Sequence, residues 1–179
     1  MFEIGSITKV FTTTLLADMH LKGEVHLDDP ASEFLPASVV LRNRKGVDVT
    51  LRHLATHTSG LPRVPGNVGL KNIRSGNPYA KYTVEDMYEF LSKSRFVTAP
   101  GAMYTYSNLG MGLLGHIPSL VTEIGFEELV LERICRPLGM SDTAIGLSED
   151  QLGRLAPGHA RGKQVSNWDI STLAGCGAL

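Results

Sequence analysis

An apolar helical pattern at the very start of the chain constrains what it can fold into. Its apolar positions recur near a period of 3.6 residues: Val10, Leu15, Leu16 and Met19. This spacing predicts a helix over residues 6–21, which Gly23 ends. Ile7 and Phe11 add apolar surface on other sides. A helix that is apolar on more than one side needs covering elements, which must come from later in the chain or are missing from it.

The same helix begins with a pair of residues that suits nucleophilic chemistry. Gly5 lets the backbone enter the helix tightly and places Ser6 at its N-terminus. Lys9 follows three residues later, so it shares a helix face with Ser6. A serine hydroxyl becomes a good nucleophile when a neighbour takes its proton, and a desolvated lysine can assist in this. A Ser-x-x-Lys pair also arises by chance, and a serine at a helix start is usually only a cap.

Further helices are predicted from their caps and periodicity. They cover residues 51–56 after Thr50, 84–93 after Thr83, 109–124 with a kink at Pro118, and 126–136 before Pro137. Single helical turns are expected from Pro30 to Phe34 and after Ser148. The sequence therefore predicts one mainly α domain over residues 1–179.

Strand signals are few and short. We expect strands over residues 24–27 and 47–49, within a total of three or four, and no large sheet. Residues 61–82 contain six glycines and prolines, which predicts a long functional loop or a mobile lid. The tail from Gly158 shows little periodicity.

Composition excludes several classes of protein. Apolar residues make up 42% and charged residues 20%, which is typical of a globular chain. The formal net charge is −1 with scattered Lys and Arg, so neither nucleic acid nor an anionic membrane is an expected partner. No apolar stretch is long enough to predict a membrane span, and the N-terminus lacks the features of a signal peptide. Cys135 and Cys176 are far apart in sequence and are expected to be free thiols.

Two other groups carry possible chemistry. Tyr106 lies between a Pro-Gly turn and a glycine-rich helix, where a nearby lysine would favour its phenolate and make it a candidate general base for Ser6. Asn108 offers a donor and an acceptor, although a half-buried tyrosine beside a helix cap is the stronger interpretation of this segment taken alone. His53 and His57 have the spacing of two metal ligands on one helix face, but the metalloprotease pattern needs a glutamate where Leu54 stands, so a structural role is the stronger interpretation.

Three blocks of sequence resemble the serine β-lactamase and penicillin-binding protein family. They are Phe2-Glu3-Ile4-Gly5-Ser6-Ile7-Thr8-Lys9, then Leu51-Arg52-His53-Leu54-Ala55-Thr56-His57-Thr58-Ser59-Gly60-Leu61-Pro62, then Tyr106-Ser107-Asn108-Leu109-Gly110. A further match runs from Glu127 to Thr143. The resemblance covers nearly all of the chain. It is strongest to the class C branch, which also holds D-alanyl-D-alanine carboxypeptidases and family VIII carboxylesterases.

The resemblance implies a serine hydrolase that forms an acyl-enzyme on Ser6. In it, Lys9 assists, Tyr106 exchanges the proton and Asn108 orients Lys9 and the substrate. The Ser6 backbone N–H would be half of the oxyanion hole. The implied partner is a small molecule, namely a β-lactam, an ester or a D-alanyl peptide, with no cofactor and no metal. A periplasmic or secreted location is plausible for a full-length parent enzyme.

This chain also departs from the family pattern. The family has strands ahead of the serine helix and a late Lys-Thr-Gly or His-x-Gly strand, and neither is present here. The resemblance thus predicts the helical lobe of the β-lactamase/transpeptidase-like fold, with the parent's main sheet largely missing, as in a fragment, a truncated reading frame or an excised domain. A catalytically impaired, non-enzymatic fragment is the alternative to an enzyme. We further expect the apolar first helix to drive formation of a homo-oligomer, unless residues 156–179 fold back over it.

Overall fold

The computed structural model describes residues 1–41, 45–68, 77–94, 96 and 98–179. The helices in this part of the chain are α1 Thr8–Leu21, α2 Leu51–Ala55, α3 Val84–Lys93, α4 Asn108–Thr122, α5 Phe126–Val130 and α6 Glu149–Gly153. Three 3-10 turns lie at Gly5–Ile7, Ala31–Phe34 and Ala174–Cys176, and a π-helical turn at Leu131–Cys135 continues α5. The strands are β1 Gly158–Ala160 and β2 Lys163–Val165, which pair antiparallel.

The predicted helices are confirmed, with boundaries that move by one or two residues. The side chains of Thr50, Thr83 and Ser148 each accept a backbone N–H of the first helical turn, so all three capping boxes form. Helix α4 continues through Pro118 and ends at Thr122, because Glu123 adopts a left-handed conformation with φ of 60°. The predicted loop over residues 61–82 lies partly outside the described residues, since 69–76 are not among them.

The strand predictions are wrong. At residues 24–27 the backbone closes the end of α1, where Glu24 N–H donates to the Met19 carbonyl, so no ladder forms there. Near residues 47–49 the described β-pairing is an isolated bridge between Pro30 and Thr50. A proline donates no hydrogen bond to a ladder, which limits pairing at this point. The two described strands instead lie in the tail that lacked periodicity.

Helix α4 is the centre of the core. It packs against α1, α2, α5 and the Ala174–Cys176 turn. Its buried residues are Leu109, Gly110, Met111, Gly112, Leu113, Leu114, Gly115, Ile117 and Pro118. Gly112 and Gly115 share a helix face, and a Cβ at Gly115 would lie only 2.7 Å from Gly175 Cα. The absence of side chains on this face lets the C-terminal residues lie directly against α4.

Helix α1 buries a polar face beside the C-terminal residues. Thr8 Oγ1 accepts the Leu179 N–H at 3.1 Å, and Thr12 Oγ1 donates to the Gly175 carbonyl at 2.8 Å. Val10 is 60% exposed, so its assignment to the buried stripe of this helix is wrong. Leu15, Leu16 and Met19 are buried as the periodicity predicts. The C-terminal residues do fold back over α1, but they cover its polar face, because only that face satisfies their backbone groups.

A search of the described residues for membrane-spanning helices finds no single helix that qualifies. One pair of consecutive helical segments, Asn108–Thr122 and Phe126–Cys135, together has the length and composition required of a membrane span, but the pair is bent by 87° at the break between the segments. Cys135 and Cys176 are buried free thiols.

Candidate active site

Ser6 and Lys9 meet at the start of the first helix. Gly5 has a φ of 51°, a conformation that glycine adopts without strain, and it leads into the 3-10 turn that carries Ser6. Lys9 lies one turn later, in the first turn of α1, and the residue is 8% exposed. Its Nζ lies 3.1 Å from Ser6 Oγ. The spacing of three residues therefore brings the amine and the hydroxyl into hydrogen-bond contact, as expected.

The C-terminal residues hold the lysine from the other side. Lys9 Nζ donates to the backbone carbonyl of Cys176 at 2.6 Å. A buried ammonium is costly without such partners. Sequence reasoning did not assign Cys176 to the site, because its contribution is a backbone oxygen and carries no side-chain signature.

Tyr106 completes the cluster from an irregular segment that precedes α4. Its Oη lies 2.7 Å from Ser6 Oγ. Lys9 Nζ lies 4.7 Å from the centre of the Tyr106 ring, and the Arg63 guanidinium carbon lies 4.9 Å from it. The predicted convergence of Ser6, Lys9 and Tyr106 is thus confirmed.

The electrostatic environment lowers the pKa of the Tyr106 hydroxyl. Partial burial alone would raise the pKa of this hydroxyl, but its interactions with Lys9 and Ser6 outweigh burial and hold the pKa below its usual value of 10.0. A tyrosine with a lowered pKa beside a serine hydroxyl can accept a proton from it.

Ser107 anchors the segment that carries Tyr106. Its side chain donates to the Pro62 carbonyl at 2.7 Å and accepts the Gly110 N–H at 2.8 Å, which caps α4. The Ser107 residue is fully buried. The position of Tyr106 is therefore tied both to α4 and to the loop after α2.

Asn108 is the first residue of α4 and lies close to this cluster. Its backbone N–H donates to the Arg63 carbonyl at 2.8 Å. Burial raises the pKa of the Tyr79 hydroxyl, and a hydrogen bond with the Asn108 side chain acts in the opposite direction. Asn108 Oδ1 is buried and has no hydrogen-bond partner among the described residues. The structure shows no hydrogen bond between Asn108 and Lys9, whose described bonds go to Ser6 and Cys176.

The two histidines of the second block do not share a helix face. His53 lies in α2, where its Nδ1 accepts the Thr50 N–H at 3.2 Å. His57 lies beyond α2 with a left-handed φ of 58°. Its ring centre is 4.5 Å from that of Tyr106, and its Nδ1 accepts the Ser107 N–H at 3.2 Å. A search of the described residues for groups of three or more potential metal ligands finds none.

One groove of the described surface lies apart from these groups. It has a volume of about 960 Å³ and is lined by residues 1–4, by parts of the segment 140–157 and by Trp168 among others. Ser6, Lys9 and Tyr106 are not among its lining residues. We therefore assign the site from the contacts among Ser6, Lys9 and Tyr106 and not from the groove.

Comparison with known proteins identifies the family of the chain. A family model described as Beta-lactamase matches residues 1–175. The chain belongs to the β-lactamase family. The D-alanyl-D-alanine-carboxypeptidase/endopeptidase AmpH of Escherichia coli is 35% identical over 177 residues, which are 98% of this chain and 44% of that protein. A β-lactamase of Pseudomonas fluorescens is 32% identical over 171 residues, 92% of this chain and 42% of that protein.

Solved structures place the fold in the same family. A β-lactamase/D-alanine carboxypeptidase from Yersinia pestis matches with a TM-score of 0.86 and 28% identity, over 99% of this chain and 49% of that one. A class C β-lactamase from Rhodobacter sphaeroides matches with a TM-score of 0.78 and 30% identity, over 99% of this chain and 46% of that one. The chain thus spans less than half the length of the relatives it matches, and its described part is the helical region of their fold.

Proposed function

We propose that this chain carries the nucleophile and the general base of an acyl-enzyme serine hydrolase. The observation that supports the proposal is the 2.7 Å contact between Ser6 Oγ and Tyr106 Oη, with Lys9 Nζ 3.1 Å from the same Ser6 oxygen. A nucleophile, a base within hydrogen-bond reach and a third group that holds them are the general signature of nucleophilic catalysis.

In the proposed step, the Tyr106 phenolate takes the proton of Ser6. The Ser6 oxygen forms a bond to the substrate carbonyl carbon, and the carbonyl becomes a tetrahedral oxyanion. The oxyanion then collapses, the bond to the leaving amine or alkoxide breaks, and Tyr106 returns its proton to that group. The charge of Lys9 stabilises the phenolate throughout, and the Cys176 carbonyl keeps the Lys9 ammonium in position.

Substrate binding is proposed for Asn108, and the first oxyanion donor is proposed to be the Ser6 backbone N–H. Ser6 lies in the first helical turn, where N–H groups have no partner within the helix. Asn108 Oδ1 is buried and has no partner among the described residues, so a rotation of this side chain towards the site would let it accept an amide N–H of a substrate.

Covalent labelling of the chain tests the proposal. We expect intact-mass spectrometry to show one adduct after incubation with a fluorophosphonate and, separately, with a penicillin. The adduct should be absent in Ser6→Ala and present in Ser32→Ala, a matched change at an exposed serine of the Ala31–Phe34 turn. Tyr106→Phe should slow labelling by about 10²–10⁴-fold, the usual contribution of a general base. A folded chain that gives no adduct, or an adduct that persists in Ser6→Ala, contradicts the proposal.

The substrate class is proposed from the relatives' own activities. These include β-lactamases and D-alanyl-D-alanine carboxypeptidases. β-Lactams are therefore the first candidates, with D-alanyl peptides and carboxylic esters as alternatives within the same acyl-enzyme chemistry. Turnover of nitrocefin, of p-nitrophenyl esters and of a peptide ending in D-Ala-D-Ala, compared on one preparation, separates these classes. Labelling of Ser6 without turnover of any of them identifies a catalytically impaired chain.

A further inference from the structure

His57 contacts the proposed base directly, although nothing in the proposed chemistry uses it. The centres of the His57 and Tyr106 rings are 4.5 Å apart and the rings are inclined by 34°. The His57 carbonyl also accepts the Thr105 N–H at 2.7 Å, so the backbones of the two segments are paired. His57 has a left-handed φ of 58°, which is uncommon for a residue with a side chain. An uncommon conformation beside reactive groups calls for a functional explanation.

A second contact fixes the protonation state that this arrangement needs. The Ser107 N–H donates to His57 Nδ1 at 3.2 Å. A ring nitrogen accepts a hydrogen bond only when it carries no proton, so this bond assigns the neutral ring with its proton on Nε2. Ser107 is fully buried and directly follows Tyr106 in the chain. His57 Nδ1 therefore holds the peptide group that links Tyr106 to Ser107.

We propose that neutral His57 is a positioning residue that holds Tyr106 against Ser6, and that protonation of His57 releases Tyr106 and turns off acylation in acid. This inference rests on the proposed function. It assigns His57 no contact with the substrate and no proton of the reaction. His57 acts through the orientation of the Tyr106 ring and the position of the Ser107 N–H.

Protonation would break the hydrogen bond that holds the segment of Tyr106. His57 Nδ1 would then bear a hydrogen that points at the Ser107 N–H, so two donors would face each other and the buried Ser107 group would lose its acceptor. The imidazolium would also add a positive charge beside the Lys9 ammonium, which already lies near the Tyr106 ring. The neutral state is favoured because burial, together with the Lys9 charge, holds the pKa of His57 below its usual 6.5.

The cationic side chains near this ring favour the same state. Lys9 approaches from α1, Arg63 approaches the Tyr106 ring from the loop after α2, and Tyr104 packs edge-on against His57 from the segment before α4. Among the described residues, no carboxylate contacts the His57 ring to stabilise its protonated form. The positive charge of Lys9 therefore opposes an imidazolium at His57.

The pH dependence of acylation tests the inference on the full chain. His57→Asn keeps a side-chain acceptor, tolerates the left-handed backbone and cannot be protonated. His57→Phe keeps an aromatic ring and removes the acceptor. His53→Asn is the matched control, because His53 also accepts a backbone N–H through Nδ1 but contacts Thr50 and not the Tyr106 segment. The measurement is the rate of fluorophosphonate labelling of Ser6 as a function of pH.

We expect the labelling rate of the unmodified chain and of His53→Asn to fall as the pH drops below 6.5, because His57 becomes protonated. This loss adds to the decline in rate that protonation of Tyr106 itself produces. In His57→Asn this additional loss should be absent. His57→Phe should label about 10²-fold more slowly at every pH, the usual effect of misplacing a reactive group by about 1 Å. A His57→Asn chain that keeps the acid loss overturns the inference, and so does a His57→Phe chain that labels at the normal rate.

A second readout separates this inference from the proposed function. The tyrosinate absorbance of the chain, with Tyr106→Phe used to identify the contribution of Tyr106, reports the Tyr106 titration without any acylation. In His57→Phe the midpoint should move up towards the usual 10.0, because Tyr106 leaves Lys9 and Ser6. An unchanged midpoint overturns the role of His57 whether or not Ser6 is labelled. A shifted midpoint in a chain that never labels Ser6 supports that role and contradicts the proposed function alone.

Discussion

Replacing Gly115 by alanine tests whether the close packing of α4 on the C-terminal residues holds Lys9 in place. A Cβ at Gly115 would lie 2.7 Å from Gly175 Cα, whereas ordinary van der Waals contact begins at 3.4 Å. The obstacle is backbone, so the Ala174–Cys176 turn must move by about 0.7 Å, the difference between these two distances. The 2.6 Å bond from Lys9 Nζ to the Cys176 carbonyl would then lengthen past the usual limit of about 3.2 Å.

The expected loss of stability follows from three effects. Inserting a methyl group into packed structure costs about 1–3 kcal/mol. Weakening a hydrogen bond from a charged donor costs about 1.5–3 kcal/mol. Alanine stabilises a helix interior by about 0.5–1 kcal/mol relative to glycine, which offsets part of this. We therefore expect the free energy of unfolding to fall by about 2–5 kcal/mol and the Tm by roughly 5–20 °C for a chain of this size.

Urea unfolding of matched variants measures this prediction. Gly153→Ala is the control, because Gly153 ends α6 and a Cβ there meets nothing within 4 Å. In a Lys9→Met background, Gly115→Ala should lower the free energy of unfolding by less, because the bond from Lys9 to the Cys176 carbonyl is already absent. If Gly115→Ala is no more destabilising than Gly153→Ala, the packing argument is refuted. If its cost is the same with and without Lys9, the coupling to the site is refuted.

Three further measurements test other features of the structure. Ser107→Ala should lower the free energy of unfolding by about 2–4 kcal/mol, because it removes a buried helix cap and leaves the Pro62 carbonyl without its donor. The control Ser148→Ala removes an exposed cap and should lower it by about 1 kcal/mol, so equal losses would contradict this reasoning. Burial lowers the pKa of both His57 and His116, so below pH 6.5 the unfolded chain binds more protons than the folded chain. Thermal melts should therefore show the Tm falling as the pH drops below 6.5, and a Tm that does not change with pH would contradict these burial effects. Val10 lies 60% exposed on an apolar side of α1, so light scattering should detect self-association that Val10→Lys reduces; a clean monomer of 19.4 kDa that binds no hydrophobic dye would exclude it.

Local chemistry made much of this structure predictable from sequence. Thr50, Thr83 and Ser148 each begin a helix where a capping signal stands, because a cap is satisfied by residues within one turn. The contact of Ser6 with Lys9 is predictable for the same reason, since three residues separate them on one helix. Tyr106 is a candidate base from its position between a Pro-Gly turn and a helix, but its contact with Ser6 spans 100 residues, and only the order of the family motifs pointed to it.

The strands show where local patterns fail. The predicted segments at residues 24–27 and 47–49 have suitable side chains but no partner strand among the described residues, and a strand exists only through its partner. The observed hairpin forms around Arg161 and Gly162, both with positive φ, so the turn and not the apolar pattern was the usable signal.

The sequence by itself determined the helices, their caps and the pair of Ser6 with Lys9, because each depends on neighbours within about one helical turn. Only the tertiary structure decided which face of α1 is buried. Thr8 and Thr12 face inwards and Val10 outwards, since the C-terminal backbone needs hydrogen-bond partners that apolar side chains lack. The tertiary structure likewise placed the Cys176 carbonyl on Lys9 and the His57 ring on Tyr106. Both contacts join residues far apart in the chain. The Cys176 contact forms because the glycine face of α4 lets the C-terminal backbone approach. The His57 contact forms because the segment before α4 and the segment after α2 pair through their backbones.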